Sequence, residues 1–293
     1  MRLSTSTNIF SERIGFPRAD QRECIRLCSE AGYRVMDFCF QDLMYSGSPF
    51  LEEGWEAYID SVMETAADCQ IEFSQGHAII HDFCRPKENH EFLQNIMERC
   101  IDAAARLGIK WLTVHPSTDE GALQVRNSRT GNIAYFSRLL EKAVPLRVGL
   151  AFENMWDLHL APRRLYAVTA EELVDLVDAL GDGTGICWDV EHGSIMKQDQ
   201  KAALGLIGRR LKAVHISDQT GMDNIHILPY LGCSDWNEII EALAIAGYQG
   251  DLTYELQWFL RRMPLELVPV SLRYSINIGN HLLELFKKAL QQI

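Results

Sequence analysis

The stretch Leu211–Gly232, LKAVHISDQTGMDNIHILPYLG, carries the pattern that decides the fold. A short apolar run, Leu211 to Val214, delivers His215, and a polar loop with Asp218, Asp223 and His226 follows. Four candidate ligands thus sit where a buried strand gives way to a loop. The same grammar recurs along the chain. Gln75-Gly76-His77, Thr113-Val114-His115, Ala151-Phe152-Glu153, Cys187-Trp188-Asp189 and Thr253-Tyr254-Glu255 each close on a His, Asp or Glu. One such end reads as a solvated or internally satisfied side chain. Six at matched positions predict one site assembled from many strands.

Outward from this stretch, strand and helix signals alternate. Strands are predicted over Leu3–Phe10, Tyr33–Phe40, Ile71–His77, Lys110–His115, Arg147–Glu153, Thr184–Asp189, Leu211–His215 and Asp251–Glu255. A helix follows Asp20, which has capping-box spacing to Glu23, and stops at Gly32. Further helices are predicted over Trp55–Cys69, Asn89–Leu107, Asn132–Val144, Gln200–Ile207 and Asp235–Ala246, with Ser117–Gly131 as a polar loop. Thr169 and Glu172 form a second capping box ahead of Leu173, Leu176, Val177 and Leu180. The strand-end candidates from His77 to Glu255 fall 26 to 40 residues apart, close to the roughly 30 residues that a strand–helix unit requires. An α/β protein with a (β/α)8 TIM-barrel architecture is expected, as a single domain over 1–293 with a C-terminal helical extension from about 264. A doubly wound open sheet is the second reading. It calls for a Gly-rich phosphate turn after the first strand, and Ser4 to Phe10 has none.

Composition narrows the function classes. The net charge is −12, from 28 Lys and Arg against 40 Asp and Glu, which argues against a generally nucleic-acid-binding surface. Eight cysteines form no CxxC pair and read as buried free thiols. The apolar character after Met1 is broken at once by Ser4, Thr5, Ser6, Thr7 and Asn8, and no apolar run reaches membrane-spanning length. A cytoplasmic protein without a membrane partner is the expectation.

The strand ends carry the chemistry. Period-two alternation puts Ala151 with Glu153, Cys187 with Asp189, Ala213 with His215 and Thr253 with Glu255 on common faces. If the small partners line the barrel, the ligand types point together into its C-terminal mouth. Three carboxylates in one mouth are costly to keep ionised without a cation. Glu153, Asp189, Glu255 and His215 make an oxygen-rich site for one divalent metal ion, suited to Mn, Mg or Co, with Zn possible. Open coordination positions would take two neighbouring oxygens of a hydroxy-ketone, and the metal would stabilise an enediolate formed by proton removal beside the carbonyl.

These residues resemble the xylose isomerase-like TIM barrel superfamily, the group of sugar (phosphate) isomerases and epimerases that also contains endonuclease IV. The markers are HPS at His115, ENMW at Glu153, WDVEH at Asp189 and His192, VHISD at His215, the D-N-I-H loop at Asp223 and His226, and YEL at Glu255. They fall in order from His115 to Glu255, and the resemblance covers nearly the whole chain. The resemblance implies a sugar isomerase or epimerase in which Glu153 and Glu255 bind the metal and act as the acid/base pair. Asp189 and His215 complete the metal shell, and His192 contacts substrate oxygens. His77, His115 and His226 are then substrate contacts or supports. The loop SDQTGMDNIH departs from ketose 3-epimerases in lacking an Arg. The alternative within the group is an endonuclease IV-like abasic-site nuclease. Its three-zinc site would use His77 and His115, with Asn224-Ile225-His226 standing where that family has a D-x-H pair. A sugar is the expected partner, and the group's habit leaves a homo-oligomer open.

Trp156, Trp188 and Trp258 are candidates to wall a sugar pocket, Trp156 being the one assigned to substrate. Arg126, Arg129, Arg163, Arg164, Arg261 and Arg262 fall in loops after strands and read as a solvated rim or as anion contacts. His90, His159 and His281 carry no signal.

Overall fold

The computed structural model describes residues 1–292 apart from Glu12, Ala122 and 158–163; His159, Pro162 and Arg163 therefore lie outside the described residues. Eight parallel strands run β1 (Leu3–Ser6), β2 (Val35–Cys39), β3 (Glu72–His77), β4 (Trp111–Val114), β5 (Gly149–Glu153), β6 (Thr184–Asp189), β7 (Leu211–His215) and β8 (Leu252–Tyr254). They pair in the order β7-β6-β5-β4-β3-β2-β1-β8. The two ends meet at Ile216, whose N–H donates to the Thr253 carbonyl (2.8 Å) and whose carbonyl accepts from Glu255 N–H (3.2 Å). This bridge closes a TIM barrel, and it does so between two strands that carry site residues. The open-sheet reading is excluded by the closure.

Helices clothe the barrel: α1 (Gln21–Ala31), α2 (Trp55–Asp68), α3 (His90–Arg106), α4 (Gln124–Ala143), α5 (Ala170–Leu180), α6 (Val190–Ile195), α7 (Gln200–Ile207), α8 (Trp236–Ile245) and α9 (Val268–Leu290). Several begin at the side-chain caps that their sequences announce. Thr169 accepts from Glu172 N–H, Asp199 from Ala202 N–H, and Asp235 from Asn237 and Glu238 N–H. Asp20 caps α1 through Arg22 N–H. The last helix, α9, packs on α8 and α1 and so joins the outer ring. No helix among the described residues is long and apolar enough to cross a membrane.

Two local expectations are corrected. The first strand ends at Ser6, because the Ser6 hydroxyl accepts from Asn8 N–H (3.3 Å) and caps a 3-10 turn over Thr7–Phe10. The helix expected from Asn132 begins at Gln124. Its early buried face is polar: Ser128 accepts from Asp119 N–H (2.9 Å), and Asn132 exchanges bonds with Ser117. Gly131 is tolerated inside it where Cys84 Sγ approaches closely. The short helix α6 follows β6 directly, and Asp189 caps it by accepting from His192 N–H (2.8 Å).

The barrel interior is built from small residues beneath the site. Ala151, Cys187 and Ala213 form a separate buried cluster with Trp111 packed against it. Gly149 faces this Trp111 ring so closely that a Cβ there would collide with it. The floor is thus filled by one large ring, and the small residues above it leave the mouth to the ligand side chains. Replacing Gly149 with Ala should lower the unfolding free energy by about 1–3 kcal/mol through overpacking. Denaturant unfolding checks this, and unchanged stability would contradict the close fit.

Candidate metal centre

Four strand ends converge. Glu153 (β5), Asp189 (β6), His215 (β7) and Glu255 (after β8) are buried, and each places a ligand atom within 4.8 Å of the others'. Parallel register sets this up, with Asp189 paired directly to His215 across β6 and β7. Each carboxylate has one oxygen tied to a neighbour. Glu153 Oε2 accepts from His115 Nε2 (2.8 Å) and His77 Nε2 (3.2 Å). Glu255 Oε1 accepts from Asn8 Nδ2 (2.8 Å), and Asp189 Oδ1 from His192 N–H. The remaining oxygens turn inward. Glu153 Oε1 and Glu255 Oε2 lie 3.0 and 3.1 Å from His215 Nδ1. Asp189 Oδ2 is buried with no hydrogen-bond partner.

A divalent cation fits this donor set. A single Nδ1 cannot satisfy two carboxylate oxygens and leave a third buried oxygen unpaired at low cost. The protonation pattern records the same conflict. Burial opposes ionisation of Glu153, but the charges of His215 and His115 hold it well below the usual carboxylate range. Burial opposes that of Glu255 too, and His215 and His226 hold it low. Burial, with the charges of Glu153 and Glu255, pushes Asp189 well up. Three carboxylates therefore share too little positive charge. On the far side of His215, Nε2 is buried without a hydrogen bond, and its nearest carboxylate oxygen is Asp37 Oδ2 at 3.9 Å.

The other predicted site residues surround this centre. His77, His115 and Glu153 form a second ligand-capable group, His77, His215 and Glu255 a third, and Asp189, His192 and His226 a fourth. Burial works against charge on His77, yet the Glu153 hydrogen bond and charge raise it to about 9. Burial pushes His226 down to about 4, leaving a neutral imidazole. The Trp156 ring lies 6.3 Å from that of His192 at the mouth. Trp188 is instead a core residue donating to Gln200 Oε1 (2.7 Å), and Trp258 stacks with Arg261. Arg129 and Arg164 pair with Asp175 and Glu172. The opening stretch divides. Asp218 faces away and knots the β7–α8 loop, accepting from Tyr230 and Gly232 N–H, Ser234 N–H and Trp236 Nε1. Asp223 is exposed and joins no ligand group among the described residues.

Several residues of the site were not singled out from sequence. Asp37, a lone buried carboxylate in the apolar run VMDFC, accepts from Ser6 and Gln75 beneath His215. Its charge inside a strand was the available signal. Asn154 clamps Asp189 from both sides, donating to its carbonyl (2.9 Å) and accepting its N–H (2.6 Å). Asn8 and Glu191 give no such signal, because their partners are distant in sequence.

Residues 20–276 match the family model of the xylose isomerase-like TIM barrel. The chain belongs to that family. Solved structures similar to it include a D-tagatose 3-epimerase-like protein (TM-score 0.76, 18% identity, 98% of this chain and 99% of that one). A D-psicose 3-epimerase solved in the presence of D-fructose aligns with TM-score 0.75 at 15% identity, over 97% and 99% of the two chains. An IOLI protein with a binding zinc atom aligns with TM-score 0.76 at 17% identity, over 99% of each. At these identities the likeness is one of fold. Among curated proteins, y4fM of Sinorhizobium fredii is 28% identical over 166 residues, 55% of this chain and 51% of its own length. MJ1311 of Methanocaldococcus jannaschii is 24% identical over 193 residues, 61% of this chain and 62% of its own. The chain thus matches between half and two thirds of the length of these relatives.

Asp189→Asn removes one of the three crowded charges. Without a cation this variant should be at least as stable as the parent at neutral pH. The parent should gain about 2.7 kcal/mol from a divalent cation at a hundredfold excess over its Kd, and Asp189→Asn should lose most of that gain. The pH sign follows from the raised Asp189 value. The unfolded chain releases this proton first, near 3.8, so the metal-free protein loses stability as pH rises above that. The cation effect should therefore be larger at pH 7 than at pH 4.5. Melts with chelator and add-back measure both, and a full cation effect in Asp189→Asn would contradict the assignment.

Proposed function

We propose that the protein is a divalent-metal sugar isomerase or epimerase acting on a ketose by proton transfer. The observation that carries this reading is the pair Glu153 and Glu255. Each turns one oxygen to the centre while the other is held, by His115 and His77 in one case and by Asn8 in the other. Carboxylates kept ionised by charged neighbours, in a mouth that burial keeps dry, are suited to take and return a proton. Glu153, Asp189, His215 and Glu255 would hold the ion. When bound, it supplies positive charge against which neighbouring substrate oxygens are polarised.

The chemistry assigned to the chain's own residues is then simple. One glutamate removes the proton on the carbon beside the carbonyl, and the electron pair passes to the carbonyl oxygen. The other glutamate, which enters that turnover protonated, gives its proton as the carbonyl re-forms, and the two exchange roles in the reverse direction. Return to the opposite face of the same carbon is epimerisation; transfer to the former carbonyl carbon, with the hydroxyl proton of the first carbon passing to the former carbonyl oxygen, is isomerisation. His192 and His226 face the mouth as contacts for substrate hydroxyls, and Trp156 borders it. The family match and the fold likeness to ketose 3-epimerases support this reading, and the zinc in the IOLI protein supports a metal. A free ketose is the partner we assign, and nucleic acid is not.

The second reading, an abasic-site nuclease, is favoured by the four overlapping ligand-capable groups among the described residues. Two features oppose it. The net charge is −12, and the Asn224 amide, oriented to satisfy its neighbours, donates to His226 Nε2 (2.7 Å). That bond occupies the nitrogen a further metal would need.

Metal-loaded protein incubated with D-tagatose, D-fructose and D-psicose in deuterated water should incorporate deuterium beside the carbonyl. Glu153→Gln and Glu255→Gln should each slow incorporation by roughly 10²–10⁴-fold with circular dichroism unchanged. Full exchange in both variants, or cleavage of abasic DNA with no exchange into any ketose, would overturn the assignment.

A further inference from the structure

We propose that Glu191 is a positioning residue for this site: acting through Ser217, it fixes His226 as the tautomer with hydrogen on Nδ1 and a lone pair on Nε2. The inference rests on the sugar-site reading for its functional consequence, but its geometry stands apart from it. Glu191 lies on α6, is fully buried, and joins none of the ligand-capable groups among the described residues. Its carboxylate points into the β7–α8 loop. Oε1 accepts from Ile225 N–H (2.6 Å) and His226 N–H (3.1 Å). Oε2 accepts from His226 N–H (2.9 Å) and from the Ser217 hydroxyl (2.7 Å).

The tautomer follows from counting hydrogens. Ser217 has one hydroxyl proton, which it gives to Glu191. Only lone pairs then remain toward His226 Nδ1, 3.1 Å from the same oxygen. That contact is a hydrogen bond only if Nδ1 carries the hydrogen. The opposite edge of the ring supplies an independent observation. In the orientation that satisfies its surroundings, the Asn224 amide donates to His226 Nε2 (2.7 Å) and to Glu191 Oε1 (3.0 Å), while its carbonyl accepts from Trp156 Nε1 (2.5 Å). A donor on Nε2 requires that nitrogen to be bare. Both edges of the ring specify one tautomer, and Glu191 contacts both specifying groups.

The backbone is held by the same carboxylate. His226 sits at φ 45°, in the left-handed region that a non-glycine residue enters only under constraint. The two amides aimed at Glu191, from Ile225 and His226, form a small anion nest around that turn. One buried side chain thus sets both the direction and the hydrogen placement of His226. The consequence for the reaction is a hydrogen-bond acceptor at the mouth. A substrate hydroxyl that displaces the Asn224 amide donates to His226 Nε2, so the residue orients substrate without taking part in proton transfer at carbon.

Long-range proton–nitrogen spectra of ¹⁵N-histidine-labelled, Zn²⁺-loaded full-length protein test this. Parent His226 should show the Nδ1–H pattern. Ser217→Ala should mix the tautomers, Ser217→Thr should keep the parent pattern, and Glu191→Gln should lose it with metal stoichiometry unchanged. With D-tagatose as probe, Ser217→Ala should raise KM about tenfold and change kcat little, and Ser217→Thr should restore KM. A parent pattern with hydrogen on Nε2, or a Ser217→Ala spectrum identical to the parent's, overturns the proposal. The expected spectra without turnover of any ketose support the tautomer assignment and overturn the sugar reading instead.

Discussion

Three carboxylates meet around a single imidazole nitrogen, and the rest of the structure is arranged about that fact. Glu153, Asp189 and Glu255 each lend an oxygen to the neighbourhood of His215 Nδ1, in a mouth too buried for water to neutralise them. Left alone, the group must push Asp189 toward protonation while His215 takes on charge. A divalent ion resolves the repulsion more completely than any arrangement of protons. The unpaired Asp189 Oδ2 marks where the present balance falls short.

The scaffold supports this centre from below and from the rim. Below it, Ala151, Cys187 and Ala213 are small, and Trp111 fills the floor against Gly149. Space in the barrel is thereby given to polar side chains at one level and to packing at the next. Around it, polar groups hold the ligands. Asn8 holds Glu255, Asn154 holds Asp189, and His77 and His115 hold Glu153. At the rim, Asp218 ties the β7–α8 loop to Trp236 and to the amides of residues 230 to 234. Glu191 ties the same loop back to α6. Such supporting groups decide whether a set of ligands is held at working geometry.

Much of this was legible in the sequence, for identifiable reasons. Buried parallel strands are nearly continuous apolar runs, so a His, Asp or Glu ending one stands out. Thr184–Asp189 and Leu211–His215 form as read, as does Gln200–Ile207. Thr169 caps its helix as its spacing to Glu172 announces. Where periodicity fails, so does the reading. The first three turns of α4 bury Ser128 and Asn132 rather than an apolar stripe, and those residue types signal loops. Asp37 and Glu191 escaped for another reason. Each is a buried carboxylate whose partners, Gln75 for one and Ser217 with Ile225 for the other, lie far along the chain. Asp218 shows the reverse error in kind. A carboxylate three residues beyond His215 looks like a ligand, and only the fold shows it bonded to the loop's own amides.

The opening stretch is thus two devices in one segment. Its strand delivers His215 to the candidate metal centre, and its loop, knotted by Asp218 and pinned by Glu191, presents His226 at the mouth. The central claim is that the four strand-end ligands hold one divalent ion. Metal analysis of protein purified without chelator, repeated on Glu255→Ala after unfolding midpoints confirm that it folds, tests this directly. The account predicts one divalent ion per chain in the parent and a large loss in the variant. Three ions per chain, or a fully active protein with none, would contradict it.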